Sequence, residues 1–102
     1  MNFAKAVPLV MAAIMLPQAA VADDPTHGRS LAENWCSSCH TVSPDQRSAG
    51  GAPSFATIAQ SPDFSAERLA YLLLDPHPKM AKLALSQRAI NDIAAYIKSL
   101  KK

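Results

Sequence analysis

Two cysteines, Cys36 and Cys39, stand two residues apart in WCSSCH, and His40 follows the second directly; the chain has no other cysteine. Thiols at this spacing can close a redox disulfide, supply half of a zinc site, or add across the two vinyl groups of a haem. In the last case the adjacent histidine comes to lie under the iron as its proximal ligand. Each chemistry demands different surroundings, so the rest of the chain decides among them.

A redox Cys-x-x-Cys sits at a strand-to-helix junction of an α/β fold, and no window of this sequence sustains the alternation of a strand. A structural zinc ion takes four ligands. Beyond the motif only His27 and His77 remain as further Cys or His candidates, and both are isolated in sequence. Covalent haem is the reading that remains, and it consumes both thiols. Iron would then need a sixth ligand or an open position. Met80 is the one methionine outside the first 22 residues, in the proline-rich stretch PHPKM forty residues after His40. A single methionine is ordinarily a core gap-filler, but lysines flank this one, which makes a thioether ligand the better reading. His77 is its rival and His27 a more distant one.

The elements that must position these groups are helical. Residues 1–22 read as a cleaved secretory signal: one lysine, an apolar run from Ala6 to Leu16, then a small-x-small ending Ala20-Val21-Ala22. Pro8, Pro17 and Gln18 make the run too short and too broken for a spanning helix, which needs about 20 apolar residues. Export of this kind points to a periplasm or an extracellular space, with no membrane anchor left after cleavage. Removing 22 of 102 residues leaves a domain of 80, residues 23–102. A domain near that size often needs an internal staple.

Within it, apolar spacing of three and four predicts a helix from Thr26 to about Cys39. A short helical turn over Ser54–Ala59 can open at Pro53. Ser65 should cap a helix from Ala66 to Leu74, with Leu69, Leu72 and Leu73 inward. Ser86 should cap another running to about Lys101, with Ile90, Ile93, Ile97 and Leu100 in one stripe. The domain is all-α, with three to four short helices and loops wrapped around one bulky cofactor that closes a core the helices alone are too small to fill.

Charge divides along the chain. Residues 23–76 hold seven acids and three arginines, a net of −4, and residues 77–102 hold six basic residues against Asp92, a net of +5. Their sum, +1, excludes the dense basic stripe of a nucleic-acid binder. Lys79 and Lys82, beside Met80, are candidates for orienting an acidic partner.

Taken together, the motif, the methionine loop and the two terminal helices resemble those of the small class I bacterial cytochromes c over essentially the whole of residues 23–102. Gly28, eight residues before Cys36, matches the family's helix glycine at a close crossing, and Ile93 and Tyr96 match the other side of that crossing. Pro53, in GGAPSF, matches the proline whose carbonyl accepts the proton on the far nitrogen of the haem histidine. Two positions depart from the pattern: Ala32 replaces the usual aromatic four residues before the first cysteine, leaving Trp35 or Leu31 to take over its packing, and Ala81 replaces the proline that often follows the methionine.

The resemblance implies a non-enzymatic, periplasmic one-electron carrier. It would hold one covalent haem c, with Cys36 and Cys39 as thioethers and His40 and Met80 as axial ligands. Its partners would be redox proteins: an oxidase, a reductase or a dehydrogenase. The alternatives are a cytochrome subunit of a periplasmic dehydrogenase complex and a haem peroxidase or gas-binding protein.

Overall fold

The structure is a computed structural model describing residues 13, 22–47, 50–75, 80 and 83–102. The expected leader, apart from Ala13 and Ala22, and the candidates His77, Lys79 and Lys82 lie outside the described residues. Four helices and no strand occur among those described: α1 (Pro25–Trp35), α2 (Phe55–Ala59), α3 (Ala66–Leu74) and α4 (Gln87–Ser99). The all-α expectation holds.

Each helix begins where a side chain can satisfy its first free amides. Asp24 caps α1, accepting from the Thr26 and His27 amides at 3.0 and 3.1 Å, with Pro25 in the first turn where its missing donor costs nothing. Ser54, Ser65 and Ser86 cap α2, α3 and α4 through their hydroxyls in the same way. α3 ends before Asp75, the residue ahead of Pro76, where the proline ring disfavours helical backbone.

α4 ends at Ser99 rather than near Lys101, and two boundaries around the cysteines also differ from the sequence reading. α1 stops at Trp35 rather than near Cys39, because the Ser37 hydroxyl takes the Glu33 carbonyl that a continuing helix would give to the Ser37 amide. The cysteines therefore occupy a turn: the Cys39 and His40 amides both donate to the Cys36 carbonyl, at 3.3 and 2.9 Å. α2 starts at Phe55, with Ser54 as its cap, so Pro53 lies ahead of the helix and its carbonyl is free for another partner.

α4 is the element the others pack on. Its most extensive partner is α1, and α2 and α3 also lie against it. Ile90, Ile93 and Ile97 are buried as expected and Leu100 partly so; along α3 only Leu73 is fully buried, with Leu69 and Leu72 half-buried. The core joins Ala32, Val42, Phe55, Ala59, Ile93, Tyr96 and Ile97. Each fully buried isoleucine there removes enough apolar area from water to be worth about 1.5–3 kcal/mol.

The α1–α4 crossing depends on Gly28. A β-carbon on that residue would stand 1.9 Å from the Asp92 carbonyl oxygen and 2.9 Å from the Ile93 nitrogen, so the two backbones meet where only hydrogen fits. Ala32, one turn on, is fully buried. Trp35, a turn further, is 54% exposed and does not fill the place of the missing aromatic, whereas Leu31 packs partly against the core.

Asp92, on the far side of the crossing, is 1% exposed, yet its carboxylate is fully engaged. It accepts from the Asp24 amide at 2.8 Å and lies 2.7 Å from His27 Nδ1. Those hydrogen bonds, the Asp24 amide first, hold its pKa below the ordinary carboxylate value against the opposing effect of burial.

Candidate haem-binding site

The turn that follows α1 brings Cys36, Cys39 and His40 together on one short loop. Both thiols are free, Cys36 half-buried and Cys39 exposed. Burial pushes the Cys36 thiol up to about 11, so it stays protonated through the neutral range and is a poor nucleophile toward its neighbour.

His40 is held at nearly every polar atom. Its amide donates to the Cys36 carbonyl at 2.9 Å, its carbonyl accepts from Gln46 Nε2 at 3.0 Å, and its Nδ1 lies 2.6 Å from the Pro53 carbonyl oxygen. A carbonyl can only accept, so the ring proton sits on Nδ1. In a neutral imidazole that leaves Nε2 with a bare lone pair, the form a metal ligand requires. The ring's tilt is further set by Phe55, whose centroid is 5.4 Å away at an interplanar angle of 53°. The Phe55 amide in turn donates to the Thr41 carbonyl at 2.9 Å, tying the start of α2 to the residue after His40.

Sequence reasoning did not single out Gln46. It follows the Ser43-Pro44-Asp45 turn, closed by its own amide on the Ser43 carbonyl at 3.2 Å, and its side chain folds back across the cysteine loop. Oε1 accepts from the Val42 amide at 2.9 Å, and Nε2 donates to the Ser37 and His40 carbonyls at 3.0 Å each. The only available signal was local: an amide side chain directly after a proline turn, close to a segment with no regular structure. Tyr96 is the matching feature on α4. Its hydroxyl donates to the Val42 carbonyl, which fastens the loop to the helix, and burial raises its pKa.

Met80 lies in a bend and is half-buried. His27 is engaged elsewhere, against Asp92, and nine residues of helix rise, about 13 Å, separate it along α1 from Cys36. Among the described residues no group of three His, Cys, Asp or Glu side chains could hold a metal ion, which leaves zinc without a ligand set there.

The donor set fits haem c. Two free thiols stand two residues apart in the chain, the sequence spacing that the two vinyl groups call for, and an imidazole follows them with Nδ1 already engaged by the Pro53 carbonyl and Nε2 left for a metal.

The family model described as cytochrome c oxidase, cbb3-type, subunit III matches residues 23–97. Cytochrome c-552 of Bradyrhizobium diazoefficiens is 51% identical over 94 residues, covering 91% of this chain and 90% of its own. No solved structure matches the chain. A match of that extent, with a relative of that identity, makes this chain a member of the small c-type cytochromes, electron carriers built on haem c and not enzymes.

Proposed function

We propose that the protein is a periplasmic one-electron carrier with a single haem c bound covalently through Cys36 and Cys39 and ligated axially by His40 and Met80. The observation that carries this reading is the 2.6 Å contact between His40 Nδ1 and the Pro53 carbonyl, beside two free thiols. When bound, haem c supplies an iron that takes up and gives back one electron.

The residues supply the rest. Cys36 and Cys39 anchor the group at the end of α1. The Pro53 carbonyl fixes the imidazole and raises its basicity. A thioether from Met80 favours the reduced state, and apolar side chains such as Val42 and Phe55 keep water from the proximal side. Partners are redox proteins, and the basic C-terminal region, including exposed Arg88, Lys98, Lys101 and Lys102, suits an acidic docking surface. Residues 1–22 would direct export and be removed.

The visible spectrum tests the axial pair. The protein should be low-spin in both oxidation states, and Met80→Ala should lower the potential and open the iron to added cyanide. An unchanged spectrum and potential in Met80→Ala would remove Met80 from the ligand set.

A second reading makes the protein a dedicated subunit of a larger redox complex. It draws support from the matching family model, whose description is that of an oxidase subunit. The similarity to cytochrome c-552 along most of both chains favours the separate carrier. Co-elution with a larger redox enzyme from the native host would select the subunit.

A further inference from the structure

We propose that Gln46 is a positioning residue for the proximal histidine, setting the orientation of His40 and through it the redox equilibrium of the bound haem; this rests on the haem reading above.

The argument starts from what the cysteine loop lacks. Between the end of α1 at Trp35 and the start of α2 at Phe55 there is no regular structure among the described residues, so backbone groups there need partners from side chains. Gln46 supplies three. Its orientation is not open to a flip: the Val42 amide can only donate and must face Oε1, while the Ser37 and His40 carbonyls can only accept and must face Nε2. One planar amide thus spans the residue after Cys36, the histidine itself and the residue two beyond it.

The consequence for His40 is specific. Its ring is fixed at one end by Pro53, and its backbone is fixed by the Cys36 carbonyl on one side and Gln46 on the other. Without Gln46 the peptide after His40 can rotate, and the ring can turn about the Pro53 contact. Val42 shares this control, since its amide meets Gln46 and its carbonyl meets Tyr96, so the strap continues from the loop into α4. A loosened loop also admits water toward the imidazole, and water stabilises the more highly charged oxidised state.

The test uses the haem-loaded protein. Gln46→Met keeps the length and volume of the side chain and removes all three hydrogen bonds; Gln46→Asn keeps the amide but falls one methylene short and is the milder change. Redox equilibrium against a fixed mediator and the hyperfine-shifted NMR signals of the His40 ring are read for both. Gln46→Met should move the equilibrium three- to tenfold toward the oxidised form, about 30–60 mV at 59 mV per tenfold for one electron, with displaced His40 ring signals. Gln46→Asn should fall between it and the parent protein. Asp92→Asn, at the α1–α4 crossing, serves as the control: it weakens the fold and should leave both readouts in place.

Reduced stability in Gln46→Met with parental potential and parental ring signals would overturn the proposal, leaving Gln46 a purely structural strap. Equal shifts in Asp92→Asn would overturn it as well. A parent protein that gains no haem by mass would instead sink the haem reading, and this inference with it.

Discussion

The α1–α4 crossing and the loop from Cys36 to Pro53 are built on opposite principles. At the crossing, both helices satisfy their own backbones, so the sequence has only to choose a face: Gly28 lets the chains touch, and Ala32, Ile93 and Ile97 fill the space around them. In the loop the backbone has no ladder, and single side chains must meet named backbone atoms: Gln46 at three of them, Tyr96 at Val42, and Pro53, through its own carbonyl, at His40. The difference teaches where tolerance lies. A helix interface fails through volume, and a loop without a backbone ladder fails through one lost hydrogen bond.

The sharpest way to break the comparison is Gly28→Ala. Its new methyl would meet backbone, which cannot swing aside, so α1 must shift; the gain of about 1 kcal/mol in helix propensity should be swamped by a clash of about 3 kcal/mol. Urea titration of the haem-loaded protein checks this, and parental stability would mean the helices cross less closely than described.

Tyr96→Phe comes next, since it cuts the hydroxyl that fastens the loop to α4. The Val42 carbonyl is left without that partner in a buried setting, at a cost of about 2 kcal/mol. Hydrogen exchange should quicken at the Val42 and His40 amides while α4 amides lose only the global share. Uniform loss throughout would make Tyr96 an ordinary core residue.

Asp92→Asn tests the polar part of the crossing and should cost about 1 kcal/mol, because one acceptor survives for the Asp24 amide. The pH dependence is the more telling readout. Asp92 is held below its ordinary value by the Asp24 amide and His27, so its contribution is complete above about pH 4 and is lost as pH falls through the depressed native pKa. In Asp92→Asn the acid limb of the stability curve should flatten; an identical limb would assign acid sensitivity to another carboxylate.

The smallest effect is expected at Arg29, which reaches Glu33 at 2.9 Å and Asp45 at 3.3 Å on the surface. Exposed pairs of this kind contribute little. Arg29→Ala should leave the urea midpoint unchanged within error, and a clear drop would show that the turn carrying Gln46 leans on Asp45.

How far all this was legible follows the same division. Helix caps at Ser65 and Ser86 and the inward isoleucines of α4 could be read directly, because spacing and capping chemistry are local. Pro53 and Gly28 were reachable only through family resemblance, since neither a carbonyl acceptor nor a missing β-carbon leaves a periodic trace. Gln46 was out of reach, because its partners are backbone atoms set by a turn whose path the sequence does not print. The end of α1 was placed four residues too far for a related reason: apolar spacing continues through Cys39, but the Ser37 hydroxyl competes for the Glu33 carbonyl. For the packing of the aromatic missing at Ala32 the sequence left Trp35 and Leu31 open, and the exposure of Trp35 assigns it to Leu31, which packs partly against the core.

The central claim, that Cys36 and Cys39 anchor haem beside His40, is met most directly by the intact mass of the protein produced with a haem-attachment system. The expected result is a polypeptide beginning at Asp23, heavier by one haem that survives acidic acetone, with a low-spin spectrum. A polypeptide of apo mass, two hydrogens light from a Cys36–Cys39 disulfide, would contradict it.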